Sequence, residues 1–252
     1  MGTHTSAMAL FLCLTFTNAG KAGTITFDDF DDNSLNLSLW GAFVMDYGSV
    51  NEVNQRIEVS IPAHSGFSSA NIGLTFLVGG DFDAQVDFAV LSSSGTPGLA
   101  LSTGNPLDPS VGCGHMMDVG GGFGSYFARF CDGVWFVPSP ETTGRLRMVR
   151  SGSTYSGYFW DGAAWQLIHS SPGQPAGDWW MLLSTWSVNG SVQVAFDNFY
   201  LEADSLTPMV PEPGSFTLAG IALGLIWAIG KRRQAARPSN PNPPHTLGAQ
   251  NL

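Results

Sequence analysis

Residues 23–205 predict an all-β fold, a single antiparallel β-sandwich of the jelly-roll type, and three observations carry that prediction. Phe82, Ala84, Val86, Phe88 and Val90 alternate with Asp83, Gln85, Asp87 and Ala89, the period of two that puts one strand face in a core and the other in water. Strand-length runs recur with Gly, Pro, Ser, Asn or Asp between them: RIEVSIP, NIGLTFLV, SYFARF, GRLRMVRSG, TYSGYFW, AWQLIHS, WWMLLSTWS and VQVAFDNFYLEA. About ten to fourteen such strands in roughly 180 residues suit one sandwich domain. No segment of this region holds helical periodicity over three turns.

Ahead of the sandwich, residues 1–22 read as an export signal, a helical segment removed on maturation. AMALFLCLTFTNA is a short apolar core, and Gly20 and Ala22 place small residues at the -3 and -1 positions of a cut after Ala22. No Lys or Arg precedes that core, where a signal normally carries positive charge. About 13 apolar residues also suit a buried helix of the domain, so that alternative stays open.

The acidic stretch DDFDDNS, residues 28–34, follows the first strand. Asp29, Asp31 and Asn33 match the first half of an EF-hand loop, but its sixth position is Ser34 instead of Gly and its twelfth is Trp40 instead of Glu, which excludes an EF-hand. A looser calcium site of oxygen ligands and a solvated turn both fit these residues, and calcium is the only cofactor the sequence suggests. Further on, Cys113 and Cys131 are the two cysteines left once Cys13 departs with the signal. In an oxidising compartment an even pair reads as one disulfide, here closing the Gly-rich loop CGHMMDVGGGFGSYFARFC; two buried thiols are the alternative. Zinc would lack a fourth ligand beside Cys113, His115 and Cys131.

A hairpin joins TYSGYFW to AWQLIHS through Asp161-Gly162-Ala163, where Gly supplies the positive φ of a tight turn. The domain holds seven tryptophans, Trp40, Trp135, Trp160, Trp165, Trp179, Trp180 and Trp186. Adjacent Trp179 and Trp180 must point to opposite strand faces, so one belongs to the core and the other to an outer surface or rim, where an indole can stack on a sugar ring.

Charge narrows the partners. Between Gly23 and Val210 nineteen carboxylates face five arginines and no lysine, a net of -14. That field repels phosphate backbones, which excludes nucleic acid as a partner. Catalytic patterns are missing: there is no Glu-x-Asp-x-x-Glu run for glycoside hydrolysis, Glu52 and Glu58 are too far apart on one short strand, and Asp81, Asp83 and Asp87 read as a solvated face. Gly-x-Ser-x-Gly and phosphate loops are also absent. No residue is assigned a catalytic role, and the chain is read as a non-enzyme.

Three segments together carry a family resemblance. ITFDDFDDNSLNLSLWGAF, GRLRMVRSGSTYSGYFWDGAAWQLI and VQVAFDNFYLEA are similar to the concanavalin A-like lectin/glucanase sandwich family. The resemblance implies an N-terminal strand ending in Asp-Phe placed near a C-terminal strand of the Asp-Asn-Phe kind, and a central hairpin with an Asp-Gly turn followed by Trp. That sandwich hosts lectins, hydrolases and structural modules alike, so the function it implies is broad.

Residues 206–213 read as a linker carrying Pro211-Glu212-Pro213, residues 214–230 as an apolar transmembrane helix, and residues 231–252 begin with Lys231-Arg232-Arg233. In order and spacing this C-terminal segment resembles the PEP-CTERM sorting signal of Gram-negative bacteria, which implies an exosortase as partner. The prolines hold the backbone extended for a processing enzyme. Seventeen helical residues span roughly 26 Å, slightly short of a ~30 Å hydrocarbon core. The basic cluster keeps the C-terminal side in the cytoplasm and the sandwich outside. The sequence departs from the pattern in continuing past the cluster with QAARPSNPNPPHTLGAQNL. A permanent single-span anchor shares the helix and charges but gives no reason for Pro-Glu-Pro. The combined expectation is an exported protein, passing through the inner membrane to the cell surface or extracellular polysaccharide, that binds carbohydrate or serves as a structural matrix component.

Overall fold

The computed structural model describes residues 24–104 and 116–209. The chain divides into two units, residues 1–208 and 209–252. The expected signal, Cys113, Pro211-Glu212-Pro213, the 214–230 helix and Lys231-Arg232-Arg233 all lie outside the described residues. Among the described residues no helix is long and apolar enough to cross a membrane.

The first unit is built of antiparallel strands: β1 (Thr24–Asp28), β2 (Trp40–Met45), β3 (Ser49–Val53), β4 (Arg56–Ile61), β5 (Phe67–Ser93), β6 (Thr96–Gly104), β7 (Met116–Gly120), β8 (Ser125–Phe130), β9 (Gly133–Pro138), β10 (Thr143–Ser151), β11 (Thr154–Trp160), β12 (Trp165–Ser171), β13 (Trp179–Val188) and β14 (Val192–Pro208). The expected alternation is present: Phe82, Ala84, Val86 and Phe88 are buried, and Asp83, Gln85 and Asp87 face outward. Two runs read from sequence as separate strands, NIGLTFLV and DAQVDFAV, belong to one 27-residue strand, β5. Gly79 and Gly80 lie between them, with Gly80 at φ +72°, and the ladder continues through this point because β14 follows it, Ser205 pairing with Gly79. Strand β14 itself runs to Pro208, three residues beyond the end expected for the sandwich.

This long strand serves two layers. Its first half pairs with β2 and β13, and from β13 the layer continues through β6, β7, β8 and β9. Its second half pairs with β10 and β14, with β11 and β12 beyond β10, and β1 and β4 beyond β14. The layers meet through aromatic side chains: Tyr126 of β8 stacks on Phe159 of β11 at 4.3 Å, and Phe130 lies 6.1 Å from Tyr155. At Gly157 of β11 an added Cβ would fall 2.7 Å from Val119 of β7 and 3.0 Å from Ala128 of β8, so the layers approach closely there. Burying apolar side chains from both layers, at about 1.5–3 kcal/mol for each fully buried one, is the main term holding them together.

Two sequence motifs have clear structural uses. β1 pairs with β14 so that Asp28 faces Phe199, which places the Asp-Phe strand beside the Asp-Asn-Phe strand. Asp28 Oδ2 accepts the indole N–H of fully buried Trp40 at 2.8 Å, and Trp40 packs edge-on against Phe199 at 4.9 Å. A buried indole thus has the acceptor that burial requires. The expected hairpin also forms: Asp161 Oδ1 accepts the N–H groups of Ala163 and Ala164, both at 2.8 Å, with Gly162 at φ +96°.

Candidate binding face

Strand β13 shows how the site is made. Trp179, Met181 and Leu183 point into the core, whereas Trp180, Leu182, Ser184 and Trp186 point out of the second layer. Trp179 and Trp180 therefore sit on opposite faces. Trp179 is 4% exposed and packs edge-on against Tyr155 at 6.4 Å. Trp180 is half-buried, and its Nε1 donates to the Leu74 carbonyl at 2.7 Å.

The outward rings lie over glycines of neighbouring strands. A Cβ at Gly73 would come within 2.6 Å of the Trp180 ring. At Gly98 of β6 it would overlap the Trp186 indole, and at Gly120 of β7 the Phe127 ring. Register makes this arrangement: Trp186 pairs with Gly98, Gly120 with Phe127, and Phe127 with Phe136. Phe127 stands 6.2 Å from both Trp186 and Phe136. The result is a row of three rings, Trp186 of β13, Phe127 of β8 and Phe136 of β9. Rings laid over glycine in this way also cover backbone that would otherwise weaken the sheet.

Asp118 lies in the same face, on β7. Its register partners are Ser102 of β6 and Arg129 of β8, and Arg129 Nη2 pairs with Asp118 Oδ2. The Asp118 side chain is buried while that of Arg129 is 47% exposed. Burial pushes the Asp118 carboxyl up, against the lowering influence of Arg129 and Ser102. Strands β13, β6, β7, β8 and β9 contain no other carboxylate.

The other residues singled out by sequence are elsewhere. In the 28–34 loop, Asp29 Oδ1 accepts the Asp31 N–H at 3.4 Å and Asn33 Oδ1 accepts the Gln55 N–H at 2.8 Å. Glu52 is buried beside this loop, accepts the Ser34 N–H at 3.0 Å, and has its carboxyl raised by burial and by Asp32. Among the described residues no group of three or more His, Cys, Asp or Glu side chains is placed to hold a metal. Cys131 is disulfide-bonded, and Cys13 and Cys113 both lie outside the described residues. Near it His169 stacks on Trp135 at 3.4 Å and hydrogen-bonds Asp132 at 3.0 Å.

Sequence reading counted Trp186 among the tryptophans but did not place it on the outward face with Trp180, and it missed Phe127, Phe136, Asp118 and Arg129. The six-residue spacing of Trp180 and Trp186 was the available signal, since it puts both on one face of a strand. The glycines beneath them are too distant in sequence to be matched without the register.

No protein-family model matches the chain, and no curated protein does. Solved structures do match in fold. An endo-β-galactosidase from Clostridium perfringens that releases GlcNAcα1-4Gal superposes with a TM-score of 0.55 at 11% identity, over 74% of this chain and 63% of that one. The β-glucanase of Bacillus licheniformis gives 0.52 at 13% identity, over 72% and 98%. The exoplasmic/lumenal domain of VIP36 in its Ca2+-bound form gives 0.50 at 14%, over 68% and 88%. The described unit thus has the concanavalin-like, antiparallel β-sandwich fold of these structures.

Proposed function

We propose that this chain is an exported carbohydrate-binding module of the cell surface or extracellular polysaccharide. The aromatic row over glycines on the second layer is the observation that carries this reading. Trp186 and Phe127 meet edge-on at 71° and Phe127 and Phe136 are tilted by 43°, so the packed row offers ring faces and edges at little entropic cost, surfaces that suit the apolar faces of sugar rings. Binding is favoured over hydrolysis because a glycosidase site needs two carboxylates flanking one bond, and the strands under the row hold only Asp118, buried and paired with Arg129. The fold neighbours include an endo-β-galactosidase, a β-glucanase and the Ca2+-bound VIP36 domain, so the fold by itself does not separate binding from hydrolysis. A structural matrix protein without a ligand is the second reading.

The same proposal assigns the C-terminal segment to sorting. Pro211-Glu212-Pro213 is read by an exosortase-type enzyme while the 214–230 helix halts export and Lys231-Arg232-Arg233 stays inside. Cys131 bonds to Cys113 in the oxidising compartment, so thiol titration of the exported protein should find no free cysteine. Calcium belongs to this reading only through the Asp29–Asn33 loop; equal melting temperatures in EGTA and in millimolar calcium would remove it.

The test is a glycan array on the full-length chain, including mixed-linkage β-glucan and galactan, followed by Trp186→Ala and Phe127→Ala. Binding that either substitution weakens about tenfold or more, with the protein still folded, supports the module. Array binding that both variants retain moves the site elsewhere, and a folded chain that binds no glycan leaves the matrix reading. Replacing residues 211–213 by Ala should leave export intact and let full-length precursor accumulate; normal processing of that variant would favour a permanent anchor.

A further inference from the structure

The outward face of the first layer is finished with charge. Arg147 Nε and Nη2 donate to the two oxygens of Asp83 at 2.9 and 2.6 Å, and its guanidinium lies 5.5 Å from the rings of both Tyr158 and Trp165. Arg145 grips Asp87 in the same two-pronged way, and Asn198 Nδ2 adds a bond to Asp87 at 3.1 Å. On β4, Arg56 holds Glu58 at 2.9 and 2.7 Å. Trp160 stands beside this lattice, edge-on to Trp165 at 5.4 Å.

Between the Arg145 and Arg56 clamps the register places two small residues opposite each other, Ala89 of β5 and Ala195 of β14. Bulky walls around an alanine floor leave a notch of about 350 Å³, lined by Arg56, Asp87, Thr143, Arg145, Trp160 and Asp197. Asp197 lies directly opposite Asp87 in the ladder. Its carboxyl is raised by burial and by the charges of Asp87, Asp31 and Asp29, and its own hydrogen bond is to the Asn198 N–H at 2.7 Å.

We infer that this notch is a second saccharide site, on the opposite face from the aromatic row, and that it takes a short neutral pyranose segment. It rests on the saccharide reading above for its ligand class only. Each element of the chemistry is on hand. Trp160 offers an indole wall for a ring face. Bidentate pairing fixes Asp87 and Arg145 in place, yet uses only two of the five guanidinium N–H donors, so the others remain for hydroxyls. Asp197 and Asp87 accept hydroxyl hydrogens. Both arginines are already matched by carboxylates, so Asp197 leaves the notch negative and an anionic sugar is repelled. A notch on one face and an aromatic row on the other would let one domain hold two glycan segments at once.

The test uses the full-length chain carrying 15N-labelled tryptophan, with indole signals assigned by single Trp→Phe variants. Methyl glycosides of glucose, galactose and N-acetylglucosamine are titrated, and sodium glucuronate serves as the charged control. At least one neutral glycoside should shift the Trp160 indole, and glucuronate should not. Ala89→Leu fills the floor while sparing every ion pair and should weaken the response about tenfold or more, equivalent to about 1.4 kcal/mol. Arg145→Gln, on a half-exposed side chain, should do the same if the first variant folds poorly. The inference is overturned if no neutral glycoside moves Trp160, if glucuronate moves it equally, or if both variants respond as wild type. Oligosaccharide shifts at Trp186 without Trp160 would sink the notch alone, and shifts at Trp160 without Trp186 would sink the aromatic row alone.

Discussion

On the first layer the outward positions of β5 and β10 include Asp83, Asp87, Arg145 and Arg147, whose side chains reach across the strands to one another. On the second layer the outward positions of β6 and β7 include Gly98 and Gly120, and rings from β13 and β8 lie across them. The strand alternation is the same in both, but the finishing differs in kind. An ion-pair lattice at a half-exposed surface contributes little per pair, about 0–1 kcal/mol, and can be rebuilt by single substitutions. A ring on a glycine is a steric fit in which each partner requires the other, so a single added methyl group disrupts it. The first face suits hydrogen-bonding recognition, and the second suits stacking.

The largest test separates core from face on one strand. Trp179→Ala should cost about 3–5 kcal/mol, as for a large buried aromatic, and should lower glycan affinity only by unfolding the protein. Trp180→Ala, at the half-buried outward position, should cost clearly less. Chemical denaturation of both variants decides this; equal losses would mean that the two faces of β13 are not energetically distinct. Next, Gly98→Val should destabilise by about 1–3 kcal/mol through overlap with the Trp186 indole and should shift that residue's fluorescence. Unchanged fluorescence with unchanged stability would show that the indole does not rest on Gly98.

A pH series sharpens the comparison further. Because the folded-state carboxyl of Asp118 is raised above its ordinary 3.8, its contribution favours the folded state most below 3.8 and is lost as pH rises through the raised value. Asp118→Asn removes this loss, so the variant should gain melting temperature relative to wild type as pH increases from 4 to 7. A constant difference across that range would contradict the burial of the carboxylate. The smallest effect is expected on the charged face: Arg147→Ala, which breaks a partly exposed pair with Asp83, should change stability by less than about 1 kcal/mol and less still in high salt. A loss comparable to that of Trp179→Ala would make the lattice a structural element in its own right.

Much of the fold was legible because the signals were local. The alternation at Phe82–Val90, the Asp161-Gly162 turn and the opposite orientations of Trp179 and Trp180 follow from the two-residue period of a strand and the conformational freedom of glycine. The continuity of β5 was not legible, since Gly79-Gly80 has the composition of a turn, and only the pairing of β14 across it keeps the ladder intact. The candidate binding face was half legible. Its tryptophans could be counted, but Trp186 finds Gly98 across a gap of 88 residues, and no local rule reports that meeting.

By itself, then, the sequence determined the all-β class, the strand faces of β5 and β13, the hairpin at Asp161, the acidic character of the domain and the distinct composition of its ends. These depend on residue type and near-neighbour spacing, which is where backbone sterics and the burial of alternate side chains act. The tertiary structure alone decided which rings lie over which glycines, that Asp118 is buried beside Arg129, and that Ala89 faces Ala195 to open a notch between arginine clamps. Those outcomes depend on the register between strands distant along the chain. Register is fixed by the packing of the whole core, because a shift of one residue would turn every buried side chain out to water.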